Sequence, residues 1–291
     1  MLLESMLVFG LVNSAILMLM SFGFSLTFGL SGVANFAHGG IYLLAGYLAF
    51  FLLRTLGLPY LLAVIITVIV TALLGAAIYR LVVIRVRGIA LNEVIATFAI
   101  GISILELFRW LGFITYEFSL PCIVDGRLTL FQTTLDYQRI LIIVVAFLMA
   151  VFLWALTHKT RIGLALLGMA QNEYTALSVG IDSDWAATYS FALGGAFAAI
   201  AALMILPLGI ININIGYEVL LIALAVTVLG GLESTKGLIL GCIILGYAQV
   251  ITSTLIAPHW KEAVYLAAIL IVLAVKPSGL LGKFKELEER V

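Results

Sequence analysis

Residues 25–50 read SLTFGLSGVANFAHGGIYLLAGYLAF. Asn35, His38, Gly39 and Gly40 stand together between two runs that are otherwise apolar. The runs extend over 6–28 on one side and 38–54 on the other. Each approaches the roughly 20 apolar residues a helix needs to cross the hydrocarbon of a bilayer. A polar cluster at such a junction reads as a helix break. Asn35 can cap the helix that follows, and Gly39 and Gly40 let that helix start tightly against a neighbour. His38, one of three histidines, has no nucleophile or carboxylate nearby to make it catalytic, and its simplest role is a structural hydrogen bond; a ligand contact is the other.

The pattern repeats outward from this junction. Further apolar stretches occupy 60–80, 91–111, 138–157, 185–206, 218–231, 237–257 and 262–275. Nine spans result, within a range of eight to ten, because the stretches at 218–231 and 262–275 are short. The whole chain is 64% hydrophobic and 10% charged, against about 45–50% and about 25% in a soluble domain. The expected fold is an all-α polytopic membrane protein, with 1–291 a single transmembrane domain in the lipid bilayer. Fifteen basic and fifteen acidic residues cancel, so no basic field suggests nucleic acid. Cys122 and Cys242 are too isolated to suggest a disulfide framework or a metal site. The N-terminus lacks a basic n-region and a cleavage site, and reads as a retained first helix.

Basic residues accumulate on the cytoplasmic side. One set of connections holds Arg80, Arg85, Arg87, Lys159, Arg161, Lys236, Lys276, Lys283, Lys285 and Arg290. The other holds Arg54, Arg109, Arg127, Arg139 and Lys261. Ten against five puts the N-terminus outside and the C-terminus inside the cytoplasmic membrane.

Two connections are long. The outer one, 112–137, mixes aromatics with Asp125, Arg127 and Asp136. The inner one, 158–184, reads HKTRIGLALLGMAQNEYTALSVGIDSD. There Asn172 is a good N-cap, Glu173 suits the positive end of a helix, and Gly180 suits a left-handed stop. Before it, a second short apolar stretch is bounded by Gly163 and Gly168. Two readings stand on the residues alone. The loop lies on the membrane surface, or it presents a short helix to a cytosolic partner, with the small residues Ala170, Ala176 and Ser178 fitting a groove.

Charges within the spans are few. Glu106 and Arg109, three apart, can neutralise each other. Asn92 and Glu93, at the inner start of the same span, are expected to face water. No span carries the buried acidic relay of an ion-coupled pump. On the outer side PLGIININIGYE (207–218) breaks the apolar pattern with Asn212, Asn214 and Glu218; it is a simple turn or a substrate-facing segment, and asparagine suits both ends of a zwitterion. The sequence GGLESTKG (230–237) lacks the spacing of a phosphate-binding loop.

Four stretches now carry a family resemblance: 25–50 as quoted, GLALLGMAQNEYTALSVGID (163–182), VTVLGGLESTKGLILGCIILG (226–246) and VKPSGLLGK (275–283). In this order they resemble the permease subunit of branched-chain amino-acid importers of the ABC class, specifically the H-type of the two related permeases. The resemblance implies a type II-like importer half working with a second homologous permease, two cytosolic ATP-binding subunits and an extracytoplasmic substrate-binding protein. It implies no cofactor and no nucleotide site on this chain. By resemblance, 158–184 is the ATPase-coupling loop, with Gly163, Gly168, Ala170, Asn172, Glu173, Ala176 and Gly180 as coupling candidates. Asn35, His38, Gly39, Gly40, Asn212, Asn214 and Glu218 are candidates for the substrate pathway. Relatives often carry an acid after NFAHG, where this chain has Gly40. Leucine, isoleucine and valine are the expected substrates; urea, short amides or other amino acids in the same family, or an ion-coupled carrier, are the alternatives.

Overall fold

The computed structural model describes residues 2–112, 118–130, 133–171, 173–231 and 234–282. Asn172 and the tail residues Lys283, Lys285 and Arg290 lie outside the described residues. All nine apolar stretches are helical. The first becomes α1 (Leu2–Ser31), a 30-residue helix of about 45 Å at 1.5 Å per residue. Then follow α2 (His38–Phe50), which a π-helical turn continues over Phe51–Thr55, and α3 (Tyr60–Ile78). A second π turn, Tyr79–Val83, and the short α4 (Ile84–Val86) extend α3, and α5 (Ala90–Trp110) completes the first half.

The second half opens with α6 (Tyr137–Lys159). Two short helices follow, α7 (Arg161–Gln171) and α8 (Glu173–Ser178), and then α9 (Ser183–Ile205), α10 (Asn214–Gly230), α11 (Thr235–Leu255) and α12 (Lys261–Val275). Among the described residues, seven helices, counting short end extensions, are long and apolar enough to cross a membrane.

Helices α1 and α9 form the centre; 61% of the most apolar window of each is buried, against 22% for α5 and 11% for α12. What lets α9 sit there is its run of small residues. Ala198, Ala199, Ala201 and Ala202 are wholly buried. A Cβ on Gly195 would come within 2.3 Å of the Thr71 carbonyl oxygen of α3, and one on Gly194 within 2.5 Å of the Thr27 side chain of α1. Lipid tails are as apolar as leucine, so close backbone approach of this kind holds membrane helices together.

The 112–137 connection holds a feature unforeseen in the sequence, an antiparallel pairing of β1 (Arg127–Leu130) with β2 (Thr133–Asp136). Arg127 faces Asp136 across it and bonds its carboxylate at 3.1 Å. The fully buried Gln138 pins this region by donating to the Met204 carbonyl at 2.8 Å and accepting from the Ile123 N–H at 3.1 Å. The Glu106–Arg109 pair forms at 3.4 Å, as its spacing suggests. Glu93 corrects its expectation: it is 3% exposed and accepts the Gly88 N–H at 2.9 Å. The carboxylate serves the turn before α5 and does not face water.

At the other end the PSGLLG segment packs back onto the α10–α11 turn, with the Leu280 and Leu281 amides donating to Leu229 and Gly230. Gly231 there has φ +101°, and Ser234 caps α11 through the Gly237 N–H at 3.0 Å.

Candidate functional site

The segment between α1 and α2 turns back into the bundle. The Nε2–H of His38 donates to the Met20 carbonyl at 2.9 Å. Met20 lies eleven residues before the end of α1 at Ser31, about 16 Å along its axis. The polar junction is therefore a helix break inside the protein and not a turn at its surface. His38 is 1% exposed and packs edge-on to Phe24 at 6.2 Å between ring centres. Among the described residues the Met20 backbone carbonyl is the one polar contact of its ring.

Backbone groups left open by such a break must find partners within the protein. Asn35, 1% exposed, accepts the Ala37 N–H at 3.1 Å through Oδ1, and its carbonyl accepts the His38 N–H at 3.1 Å. It closes the turn before the helix; Ala37, with no side-chain bond, is the capping position itself. Thr97 of α5 completes the set: its hydroxyl accepts the Phe36 N–H at 3.2 Å and faces the Ala34 carbonyl at 3.3 Å. Nothing in the sequence distinguishes Thr97 from other apolar-span threonines. Thr97→Val should orphan the Phe36 amide and cost about 1–3 kcal/mol, read as a lower unfolding temperature in detergent.

The two glycines have separate neighbours. A Cβ on Gly39 would lie 1.9 Å from the carbonyl oxygen of Gly216, and one on Gly40 3.0 Å from that of Gly101. Gly39 and Gly216 both belong to the first turns of their helices. The N-terminal ends of α2 and α10 are thus in contact. From there the helices diverge: Gly46 of α2 abuts Leu206, while α10 runs to its Gly230–Gly237 contact with α11. Beside the crossing, Phe24 and Leu220 are buried among Phe28, Ala34, Phe36 and Leu224.

In the 207–218 segment, Asn212 accepts the Ile215 N–H at 3.1 Å through Oδ1 and so caps α10 from just outside it. Asn212, Asn214 and Glu218 are all exposed; Asn214 and Glu218, four apart, share one face of α10. The structure brings this segment next to the Gly39 crossing, joining two motifs that are far apart in sequence. Glu218 lies in the field of Lys261 and Glu262. A cavity of about 360 Å³ opens nearby between α1, α6, α11 and α12, lined by Phe9, Asn13, Arg139, Gly209 and Lys261 among others. The sequence marks Arg139 and Lys261 only as loop cations; their convergence is tertiary.

On the 158–184 loop, Thr160 accepts the Gly163 N–H at 3.0 Å through its hydroxyl, starting α7. A Cβ on Gly163 would meet the Leu156 carbonyl oxygen at 1.8 Å, whereas Gly168 has only Ile181 at 3.9 Å. Helix α7 is two-faced: Leu166 and Met169 are buried, Ile162 and Leu164 exposed. Helix α8, with Glu173 as its first residue, ends as its sequence suggests, at Gly180 with φ +84°. Ala170 is half-buried in α7. Ala176 is buried within the protein, 3% exposed, so it does not face outward; the apolar side chains presented are Leu177 and Val179, with Ser178 exposed between them.

Residues 6–273 match the family model described as branched-chain amino acid transport system, permease component. The high-affinity branched-chain amino acid transport permease protein BraD of Pseudomonas aeruginosa is 31% identical over 95% of both chains. LivH of Escherichia coli, described in the same words, is 28% identical over 91% of both. The probable branched-chain amino acid transport permease of Methanocaldococcus jannaschii is 26% identical over 96% of this chain and 93% of its own. Among solved structures, PsaBC from Streptococcus pneumoniae in complex with Fab shares the fold, with a TM-score of 0.51 at 16% identity over 94% of this chain and 92% of that one. The all-helical polytopic architecture, its four motifs in order and these whole-length similarities agree: this chain is a multi-pass membrane protein of the branched-chain amino-acid transport permease family.

Proposed function

We propose that this chain translocates leucine, isoleucine and valine as one permease half of an ATP-driven importer of the type II-like kind. The observation that carries the substrate reading is the contact of α2 and α10 at Gly39 and Gly216 beside the Phe24, Phe36 and Leu220 cluster. Helix N-termini carry partial positive charge and free N–H groups, which suit a carboxylate. Interrupted helices meeting inside a bundle are a recurring way to build a transporter site. Aromatic and aliphatic surface next to them suits a branched apolar side chain and is wasted on urea or a short amide. Asn214 and Glu218, exposed on α10, supply acceptors for the ammonium on the way in. Asn35, His38 and Gly40 act by holding the break in shape.

In this reading the N-terminus is outside and the C-terminus inside. The chain pairs with a second homologous permease, receives substrate from an extracytoplasmic binding protein and rests on two cytosolic ATP-binding subunits. Helices α7 and α8 are the coupling elements, touching those subunits through Leu177 and Val179, with Gly163 fixing the angle at which α7 leaves α6. Leucine uptake into vesicles holding all partner subunits tests this. Uptake should require ATP, persist in the presence of an ionophore and be unaffected by excess urea. Uptake that survives omission of the ATP-binding subunits defeats the proposal.

A further inference from the structure

At the end of the bundle that carries the coupling helices, the π turn over Tyr79–Val83 widens the last turn of α3. It lets two consecutive side chains reach α9. The Tyr79 hydroxyl donates to Asp184 at 2.9 Å, and Arg80 Nε donates to the Thr188 hydroxyl at 3.0 Å. Arg87 takes up the Asp184 carboxylate at 2.6 Å and also donates to Ser183. That acid is committed. Asp182, the next nearest along the chain, is occupied as the cap of α9, accepting the Asp184 and Trp185 amides.

Arg80 is left differently. Its guanidinium lies over the Trp185 ring at 4.3 Å from the centre. Its Nη2 is shielded from solvent without a hydrogen-bond acceptor, and among the described residues no carboxylate is within ion-pair distance. The cation is complete on the protein side and short of one anion. Around it the surface is of two kinds. Arg85 is exposed and among the described residues bonds only the Leu81 carbonyl, one turn back. Trp185 and Tyr189, 5.8 Å apart, are 53% and 45% exposed, with Leu81 57% exposed beside them. Exposed tryptophan and tyrosine at the end of membrane helices mark the depth of the lipid headgroups. Basic side chains between helices at that depth are suited to anionic headgroups.

We propose that Arg80, with Arg85 and the Trp185–Tyr189 pair, binds the phosphate of an anionic phospholipid against the α3–α9 seam. The arginines meet the phosphate oxygens, the two rings lie along the glycerol region, and the acyl chains follow the exposed leucines and isoleucines of α3. A neutral phospholipid offers the same chains without net negative charge. A dissolved phosphate offers the charge without the chains.

The full-length protein in neutral detergent is titrated with phosphatidylglycerol, with phosphatidylcholine of the same acyl chains, and separately with inorganic phosphate. Thermal unfolding and native mass spectrometry provide the readouts. Phosphatidylglycerol should raise the unfolding temperature at concentrations about fivefold or more below phosphatidylcholine, the weight of one arginine beside an anionic headgroup. It should also be retained on the wild-type protein where phosphatidylcholine is lost. Arg80→Gln should erase that difference, while Arg109→Gln, at the Glu106 pair elsewhere in the fold, should keep it. Equal behaviour of the two lipids on wild-type protein overturns the proposal even if Arg80→Gln fails to fold. So does Arg80→Gln binding phosphatidylglycerol as wild type does, or inorganic phosphate alone reproducing the full shift.

Discussion

Gly39→Ala should leave little folded permease in the membrane and no leucine uptake. The added methyl would sit 1.9 Å from the Gly216 carbonyl oxygen and 3.2 Å from the Leu220 Cβ. The first obstacle is backbone, so no rotamer change relieves it, and α2 must move away from α10. Overpacking where side chains can yield costs about 1–3 kcal/mol, and this crossing has less freedom than that. Two controls give the prediction its sign. Gly168→Ala meets only Ile181 at 3.9 Å and should be neutral or slightly stabilising, because alanine is favoured over glycine in a helix by about 0.5–1 kcal/mol. Gly216→Ala first meets the flexible Leu105 side chain at 2.7 Å and should fall between the two. Yield of monodisperse protein and unfolding temperature order the three variants. Equal behaviour of Gly39→Ala and Gly168→Ala would show that the two helices do not need this contact.

The double substitution Leu177→Asp with Val179→Asp should abolish uptake while leaving the permease folded. These side chains are 47% and 71% exposed on the described chain, so two carboxylates replace little internal packing. In the proposed complex they would enter an apolar contact and leave charge there unpaired, which costs several kcal/mol. Binding of the ATP-binding subunits, measured by co-purification, should fall together with uptake, with unfolding temperature unchanged. Ala176→Asp is different in kind: its site is buried, so that variant should lose stability first. If the double variant holds the ATP-binding subunits and transports normally, α8 is not the coupling element.

Much of the fold was legible because a span in lipid announces itself locally. About twenty apolar residues in a row need no partner to be recognised, and the nine predicted stretches coincide with helices to within a few residues, apart from the longer ends of α1 and α10. Caps and stops were readable for the same reason: Gly180 ends α8 because few residues other than glycine take a positive φ at low cost. The β1–β2 pair was not legible, since strands of four residues facing Arg127 to Asp136 carry no apolar alternation long enough to read. Glu93 misled because a charged residue at a span boundary ordinarily faces water, and here the Gly88 amide draws it inward.

The sequence by itself determined that this chain is a multi-pass membrane protein, which residues lie in its helices, and to which transport family its motifs belong. These follow from local composition and short ordered patterns. Only the tertiary structure decided where the VANFAHGG stretch lies. Apolar periodicity counts spans and carries no information on depth, so a turn at the membrane surface and a break inside the bundle read alike. The His38 bond to Met20, the Thr97 bond to Phe36 and the Gly39–Gly216 approach join residues 18, 61 and 177 positions apart. Contacts of that range are fixed by the packing of whole helices, and the candidate pathway exists only where that packing brings α2 and α10 together.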